Sequence, residues 1–276
     1  MSVWKKFSLD GAVAVITGGA GFLGGKHAEA ILEGGGRVVL CDNHMVRLVV
    51  KTDELRSKYG QSSVWCYCLD ITREPLIHVV HQKIREDVGE VSILINNVAN
   101  NPQVEKGKQS LTRLENLSLE QWNDDFAVGV TGAFLMSRIL GSRMAELGRG
   151  VIVNVLSDLG VIAPDQRIYR EQGLSENQQP VKPVTYSVTK HALLGLTKYL
   201  ATYWADRGVR VNAISPGGVY KEGMPEDFVK RLVSLIPMGR MANVNEYQAA
   251  ILFLCSDASS YMTGANLIMD GGRTCW

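Results

Sequence analysis

The chain has 276 residues, of which 46% are hydrophobic and 21% charged, and its formal net charge is +1. This length and composition predict one large globular domain with enough apolar residues to bury a core. The near-zero charge does not favour a nucleic-acid or acidic-membrane partner. No apolar run reaches membrane-spanning length, and Met1–Lys6 lacks an apolar signal region, so we expect a cytoplasmic protein.

Short apolar runs rich in β-branched residues alternate with helical patterns along the chain. The predicted strands are Ala12–Ile16, Arg37–Cys41, Ser63–Cys68, Ser92–Ile95, Val151–Leu156, Val209–Ile214 and Asn266–Met269. The predicted helices are Phe22–Glu33, Met45–Lys58, Glu74–Asp87, Leu119–Leu147, Thr185–Asp206 and Asn245–Cys255. This alternation predicts an α/β single-domain Rossmann fold over residues 1–276, with a doubly wound seven-stranded parallel sheet and helices on both faces. Residues 163–183 and 216–236 are predicted substrate loops, because long irregular stretches in compact domains are usually functional.

The first predicted strand runs into a glycine-rich turn, Thr17–Gly24, that opens the first helix. Glycines let a backbone turn tightly beside a pyrophosphate, which the helix N-terminus then stabilises. Its position after the first strand favours dinucleotide binding over a merely tight turn. The residues predicted to bind here are Gly18, Gly21, Phe22, Leu23 and Gly24.

Asp42 and Asn43 follow the second predicted strand. A carboxylate there can accept hydrogen bonds from ribose hydroxyls and would repel a 2′-phosphate. The glycine turn contains no basic residue that would attract such a phosphate, so the sequence predicts NAD(H) rather than NADP(H). The alternative is that Asp42 or Asn43 caps the N-terminus of the next helix.

Five cysteines are scattered along the chain, an odd number in a chain too long to be a disulfide scaffold. Cys66 and Cys68 alternate around Tyr67 in a predicted strand and so share one face. We expect a buried pair of free thiols there. No metal is predicted, because no Cys or His partner lies nearby at ligand spacing.

Tyr186 and Lys190 lie four residues apart in a predicted helix, which places a phenol and an ammonium on the same face. An unperturbed phenol has a pKa of about 10, so lowering that pKa to near 7 takes roughly 4 kcal/mol. One positive charge about 4 Å away in a partly screened site supplies about that much. The pair therefore predicts acid–base chemistry.

Several motifs in order resemble those of the short-chain dehydrogenase/reductase family, single-domain branch, over nearly the whole chain. Besides the glycine turn and the Tyr-x-x-x-Lys pair, the matching segments are Phe7–Gly11, Asp70-Ile71-Thr72, Asn96-Asn97-Val98-Ala99, Ser157, Pro216-Gly217-Gly218-Val219 and Asp270-Gly271-Gly272. The resemblance implies an NAD(P)-dependent oxidoreductase acting on CH–OH groups. Its implied cofactor contacts are Asp70, Ile71, Asn97, Ala99, Pro216, Gly217 and Val219, together with Tyr186 and Lys190.

In this family Tyr186 would exchange a proton with a substrate oxygen, Lys190 would lower the pKa of Tyr186 and reach the nicotinamide ribose, and Ser157 would position the substrate. On its own, Ser157 could equally be a polar residue at a strand end. The resemblance also implies a homodimer or homotetramer built on the two long helices and the last strand.

Three positions depart from the family pattern. Phe22 stands where single-domain members usually carry glycine, although too few residues follow Lys190 for the substrate domain of the extended branch. Gly129 stands where the family usually has a catalytic asparagine. Glycine leaves a helix bend feasible, but it lacks the side chain that would hold the water that links the lysine to solvent. The threonine expected after Pro216-Gly217 is missing, so carboxamide anchoring would fall to backbone groups.

The substrate is predicted from a long polar stretch between Ser157 and Tyr186 that carries Arg167, Arg170 and Lys182. A wall with these charges favours a hydroxylated or anionic sugar-type substrate, and hence a role in carbohydrate metabolism. Alternatively, the arginines pair with nearby acidic residues at the surface. This stretch, together with Ile214–Val219, is similar to that of oxidoreductases in flagellin-modification and nonulosonic-acid sugar clusters. The competing interpretations are a 3-oxoacyl thioester reductase and an impaired NAD-binding sensor or structural subunit.

Overall fold

The computed structural model describes residues 2–100 and 112–276. Seven parallel strands form one sheet in the order β3-β2-β1-β4-β5-β6-β7. The strands are β1 (Val13–Thr17), β2 (Arg37–Asp42), β3 (Val64–Cys68), β4 (Ile93–Asn96), β5 (Gly150–Val155), β6 (Val209–Pro216) and β7 (Asn266–Met269). The predicted doubly wound sheet is therefore confirmed.

Eight α-helices connect or flank these strands in the described part of the chain. They are α1 (Gly24–Glu33), α2 (Met45–Tyr59), α3 (Glu74–Asp87), α4 (Leu119–Phe126), α5 (Gly132–Glu146), α6 (Val184–Tyr203), α7 (Glu226–Val233) and α8 (Gln248–Cys255). Helix α7 lies in a stretch predicted to be a loop. Helix α1 begins two residues later than predicted, because the glycine turn continues through Leu23.

The single helix predicted over Leu119–Leu147 is interrupted. A π-helical segment over Ala127–Thr131 separates α4 from α5, and Gly129 lies at its centre. Apolar periodicity continues across a π-helical turn, so the sequence pattern did not show the interruption. A helix bend at Gly129 stays feasible, because π-helical turns are among the places where helices kink.

The core lies on both faces of the sheet, because successive residues of each buried strand point to opposite sides. Ile16 packs in one cluster with residues of α1, α2 and α8, including Ile31 and Ile251. Val15 packs in the other with residues of α3, α5 and α6, including Met136. All five residues of β1 are buried, as expected for a central parallel strand.

A chain of buried polar side chains joins the ends of β4 and β5 to the helices behind them. Asn96 donates from Nδ2 to Asn154 Oδ1 at 2.8 Å and to Ser137 Oγ at 3.0 Å. Asn154 in turn donates to Thr197 Oγ1 at 2.8 Å. Buried amides are costly unless they are hydrogen-bonded, so this network favours one arrangement of the strand ends that lead into the site.

The prediction of a buried thiol pair on β3 is wrong. Cys66 is half-buried and Cys68 is exposed, because β3 is an edge strand whose last residues are only partly covered. Within residues 2–100 and 112–276, no group of three or more His, Cys, Asp or Glu side chains could hold a metal ion. Over the same residues, no helix combines the length and the apolar character that crossing a membrane requires.

Candidate active site

The turn between β1 and α1 requires glycine at two positions in particular. Gly18 has a φ of +62°, a conformation that glycine adopts without strain. A Cβ on Gly24 would lie 2.2 Å from the carbonyl oxygen of Gly18, so only glycine lets the start of α1 approach this closely. Asn97 holds the turn from β4 by donating from Nδ2 to the carbonyl oxygens of Thr17 and Gly18 at 3.1 and 3.2 Å. The turn lies where the strand order reverses, which is where such sheets bind ligands.

Asp42, at the end of β2, contacts the glycine turn from the side. Its Oδ2 accepts a hydrogen bond from the backbone N–H of Ala20 at 3.3 Å, and its Oδ1 accepts one from the N–H of His44 at 3.0 Å. The alternative that Asp42 or Asn43 caps α2 is wrong, because the N-cap is His44, whose side chain accepts from Arg47 N. Each carboxylate oxygen keeps a lone pair that a ribose hydroxyl can use.

Ser157, Tyr186 and Lys190 come together beyond the carboxyl end of β5. The Nζ of Lys190, on α6, donates to the carbonyl oxygen of Val155 at 2.7 Å and lies 5.8 Å from the centroid of the Tyr186 ring. Ser157 follows β5 and is buried, with Tyr186 in hydrogen-bonding contact with it. The helix spacing of four residues and the strand end therefore assemble the three side chains as predicted.

The pKa of Tyr186 does not move in the expected direction in this structure. Burial raises the pKa of the phenol, the hydrogen bond from Ser157 opposes that rise, and the charge of Asp158 adds to it. Lys190 has its own pKa lowered to about 8, first by burial and then by the charge of Lys182. The Lys190 ammonium donates to the backbone carbonyl of Val155, and the expected lowering of the Tyr186 pKa by Lys190 is absent.

Lys182 is a second cation beside the tyrosine. Its Nζ lies 3.9 Å from the centroid of the Tyr186 ring, a cation–π distance. Burial lowers the pKa of Lys182 to about 8, and the negative charge of Asp158 opposes that shift. Of the three basic residues singled out in the stretch before Tyr186, only Lys182 reaches the site.

The other two basic residues face away from it. Arg167 forms an exposed ion pair with Asp165 at 2.7 Å, and Arg170 pairs with Glu176. Both are exposed, and their partners lie within six residues along the chain. The alternative of surface pairing is therefore confirmed, and the prediction that these arginines form a substrate wall is wrong.

Sequence reasoning missed two charged residues of the site. The carboxylate of Asp158 accepts from Ser157 Oγ at 2.7 Å through Oδ1, and it pairs through Oδ2 with Nη1 of Arg273 at 2.5 Å. The side chains of Asp158 and Arg273 are only 5% and 6% exposed. The carboxylate directly after Ser157 was a usable signal, whereas nothing local in the sequence points to Arg273.

Gly129 faces Thr189, the residue before Lys190. A Cβ on Gly129 would lie 3.2 Å from Thr189 Cβ and 3.5 Å from Thr189 Oγ1. Thr189 is buried and donates its hydroxyl to the carbonyl oxygen of Tyr186 at 3.1 Å. The threonine therefore occupies space that a larger side chain at position 129 would need.

The site opens into a cavity of about 370 Å³. Its lining joins the glycine turn, the Ser157–Tyr186 pair, the loop after β6 and helix α7. Of the predicted cofactor residues, Phe22, Leu23, Tyr186, Pro216, Gly217 and Val219 line it. The others form no part of this lining: Gly18, Gly21, Gly24, Asp42, Asn43, Asp70, Ile71, Asn97, Ala99 and Lys190.

Two of these residues are engaged in local structure. One carboxylate oxygen of Asp70 accepts from both the N–H and the hydroxyl of Thr72, at 2.9 and 2.7 Å. Ile71 is buried against Gly132, where a Cβ would lie 2.5 Å from its Cδ1. This contact fixes the segment after β3 against α5.

Two family profiles match the chain. The profile described as short chain dehydrogenase matches residues 12–169, which is more than half of the chain, and the one described as Enoyl-(Acyl carrier protein) reductase matches residues 173–274. The chain is 33% identical over 281 residues to a D-threitol dehydrogenase of Mycolicibacterium smegmatis, covering 99% of this chain and 97% of the relative. It is also 33% identical over 276 residues to an NAD-dependent glycerol dehydrogenase of Listeria innocua, covering 98% and 96%.

The fold is similar to that of solved structures along its whole length. One of them is the crystal structure of a short chain dehydrogenase from Leptospira borgpetersenii with bound NAD⁺. It superposes with a TM-score of 0.82 at 30% identity, covering 99% of this chain and 96% of that one.

Proposed function

Because the chain belongs to the short-chain dehydrogenase/reductase family, and so is an NAD(P)-dependent dehydrogenase acting on CH–OH groups, we propose that it interconverts a secondary alcohol and a ketone on a polyol or other sugar-type substrate with NAD. The observation that carries this proposal is one cavity whose lining includes Ser157 and Tyr186 together with Phe22 and Leu23 of the glycine turn. A substrate hydroxyl in that cavity lies within reach of both the acid–base pair and the dinucleotide side.

In this proposal Tyr186 exchanges a proton with the substrate oxygen, as a base in oxidation and as an acid in reduction. Ser157 donates a hydrogen bond to the same oxygen and so stabilises charge that develops there. Lys190 is buried near the tyrosine and supplies a positive charge. Its attraction for a phenolate is stronger where water is excluded from the site. When NAD is bound, it supplies the hydride acceptor or donor.

The preference for NAD over NADP rests on Asp42. Its carboxylate lies at the rim of the glycine turn and disfavours a second anion such as a 2′-phosphate. The close approach of Gly24 to Gly18 leaves the start of α1 bare of side chains, which suits a pyrophosphate. We expect Gly18, Gly21 and Gly24 to hold the diphosphate, Asp42 and Asn43 the ribose, Asp70 and Ile71 the adenine side, and Asn97, Ala99, Pro216, Gly217 and Val219 the nicotinamide side.

A polyol-type substrate is supported by the charged groups in the cavity lining and by the named activities of the two relatives, on D-threitol and on glycerol. Asp158, Lys182 and Arg273 all reach the cavity and offer hydrogen-bonding groups to hydroxyls. We propose residues 163–183 and 216–236 as the substrate wall of a single domain spanning residues 1–276. The narrower similarity to enzymes of nonulosonic-acid sugar clusters stays a prediction.

The competing thioester-reductase activity has one observation in its favour. The apolar side chains of Met224, Phe228 and Leu232 form one wall of the same cavity, and such a wall suits an acyl chain. The proposal is tested by NAD⁺- and NADP⁺-dependent turnover on polyols of three to six carbons, sugar acids, nonulosonic acids and, in reverse, an acetoacetyl thioester. Turnover of the thioester alone would overturn the sugar-type assignment.

The sensor alternative is tested with Tyr186→Phe. This variant should lose turnover while it retains NADH binding, measured by NADH fluorescence. If the parent protein binds NADH but turns over no member of the panel, the sensor interpretation replaces the enzyme proposal.

We also propose a homodimer or homotetramer. Helices α5 and α6 carry exposed apolar residues, among them Phe134 and the stacked pair Tyr199 and Tyr203. Exposed aromatic residues of this kind are typical of protein interfaces. Light scattering on the purified chain gives the mass directly, and a monomer at micromolar concentration contradicts the proposal.

A further inference from the structure

Ser157 has a single hydroxyl proton, and in this structure Asp158 competes with Tyr186 for it. Ser157 Oγ donates to Asp158 Oδ1 at 2.7 Å, and the same Oδ1 accepts the backbone N–H of Leu159 at 2.8 Å. The proposed function needs that proton on a substrate oxygen instead. An uncompensated carboxylate would hold the serine proton strongly, because hydrogen bonds to charged acceptors are about twice as strong as neutral ones.

Arg273 compensates this carboxylate from the other side. Its Nη1 lies 2.5 Å from Asp158 Oδ2, and both side chains are more than nine-tenths buried. The Nε of Arg273 is also buried and has no hydrogen-bond partner among the residues that the structure describes. A buried ion pair is weak evidence for stability, since desolvation offsets most of its attraction. Its location on the wall of the cavity, next to Ser157, indicates a functional role.

The charge of Asp158 also acts on Tyr186. The titratable and charged groups around the phenol or on the wall of its cavity are Asp158, Tyr169, Lys182, Lys190, Lys221 and Arg273. Asp158 is the carboxylate in this set, and its charge raises the pKa of Tyr186. A guanidinium fixed on that carboxylate reduces the field that reaches the phenol.

We propose that Asp158 and Arg273 are positioning residues for the reaction: Arg273 neutralises Asp158, which frees the Ser157 proton to move to the substrate oxygen and keeps Tyr186 able to ionise. The part that concerns turnover rests on the proposed function. The part that concerns Tyr186 is measurable without any substrate.

The substrate-free test is a difference titration of tyrosinate absorbance, in which each variant is compared with the same variant carrying Tyr186→Phe. Arg273→Met should raise the pKa of Tyr186 by about one unit, the size typical of a nearby like charge. Asp158→Asn should lower it, because Arg273 is then uncompensated. The double variant Asp158→Asn/Arg273→Met should return it close to the parent value, and Arg273→Lys should leave it there.

The turnover test uses the substrate identified in the panel. Arg273→Met should lower kcat at least tenfold with little change in KM, and the pH profile of kcat/KM should move in the same direction as the titration. The double variant should recover part of the lost kcat. If the pair were purely structural, the single and double variants would all lose kcat to a similar extent, and the pH profile would not shift.

Three outcomes overturn the proposal. One is an unchanged pKa of Tyr186 in all folded variants, and another is a shift in the same direction for Asp158→Asn and Arg273→Met. The third is an unchanged pKa of Tyr186 in Asp158→Asn. This result decides if Arg273→Met does not fold, as judged by thermal unfolding and NADH binding, and Arg273→Lys then serves as the folded control. Failure of the proposed function, that is, no turnover on any substrate, leaves the titration result standing.

Discussion

The close approach of Gly24 to Gly18 makes Gly24→Ala the most direct test of the dinucleotide site. The new Cβ would lie 2.2 Å from the Gly18 carbonyl oxygen. Ordinary carbon–oxygen contacts are about 3.3 Å or longer, so the turn or the start of α1 must move by about 1 Å. The atom it meets is backbone, and no side chain rotation relieves the contact.

Two costs follow from this displacement. Overpacking typically costs about 1–3 kcal/mol of folding free energy, which corresponds to roughly 2–10 °C in the unfolding midpoint of a chain this size. A displacement of about 1 Å in a site can cost on the order of 100-fold in function. We therefore expect the Kd for NADH to rise at least ~10-fold, equal to about 1.4 kcal/mol.

Gly25→Ala is the matched control. A Cβ on Gly25 would meet Cδ and Cε of Lys51 at 3.1 and 3.3 Å, and this long side chain can move. Neither Gly24 nor Gly25 has a positive φ, so alanine is allowed at both by backbone conformation. Alanine in a helix gains up to about 1 kcal/mol over glycine, so Gly25→Ala should be neutral or slightly stabilised. NADH fluorescence titration and thermal unfolding measure both effects. Equal NADH affinity in the two variants would refute the reasoning.

Three further predictions concern the surroundings of Tyr186. Gly129→Asn should lower the unfolding midpoint, because its Cβ approaches Thr189 to 3.2 Å, and adding Thr189→Ala should restore part of it in the same thermal assay. Lys182→Met should be more stable than the parent below pH 8 and should lose that advantage as pH rises towards 10.5. Burial lowers the pKa of Lys182 to about 8, so the folded parent gains stability as this lysine loses its proton. If the unfolding midpoints of parent and variant differ by the same amount across this pH range, the prediction is contradicted. Arg167→Ala and Arg170→Ala should each leave kcat/KM on the best substrate within about twofold, because exposed ion pairs contribute little. A tenfold rise in KM would instead indicate that these arginines contact the substrate.

The parts of the molecule that follow local rules were predictable from the sequence. Continuous apolar strands such as β1 and β6 predicted the parallel sheet, and helical spacing placed Tyr186 and Lys190 on one face of α6. The glycine pattern after β1 predicted the turn, because Gly18 and Gly24 are needed for backbone reasons that act within a few residues.

Features that depend on distant contacts were not predictable. Asp158 and Arg273 are 115 residues apart, and their pairing follows from the meeting of the loops after β5 and β7. The exposure of Cys68 depends on the position of β3 at the sheet edge, which strand order and not strand composition decides. Arg167 and Arg170 were misassigned for a related reason, since charge alone does not say whether a side chain faces a cavity or its own neighbours.

The charges around Tyr186 restrict the conditions under which each direction of the reaction can run. Burial holds the pKa of Tyr186 above its ordinary value, whereas it lowers those of Lys182 and Lys190 to about 8. Reduction needs a protonated phenol beside charged lysines, and that combination prevails at neutral pH. Oxidation needs an ionised phenol, but Lys182 and Lys190 lose their charges at a lower pH than the one at which Tyr186 ionises. Lys182 and Lys190 both lie beside the Tyr186 ring, so the three groups titrate as a coupled set with shared apparent pKa values and not as independent side chains.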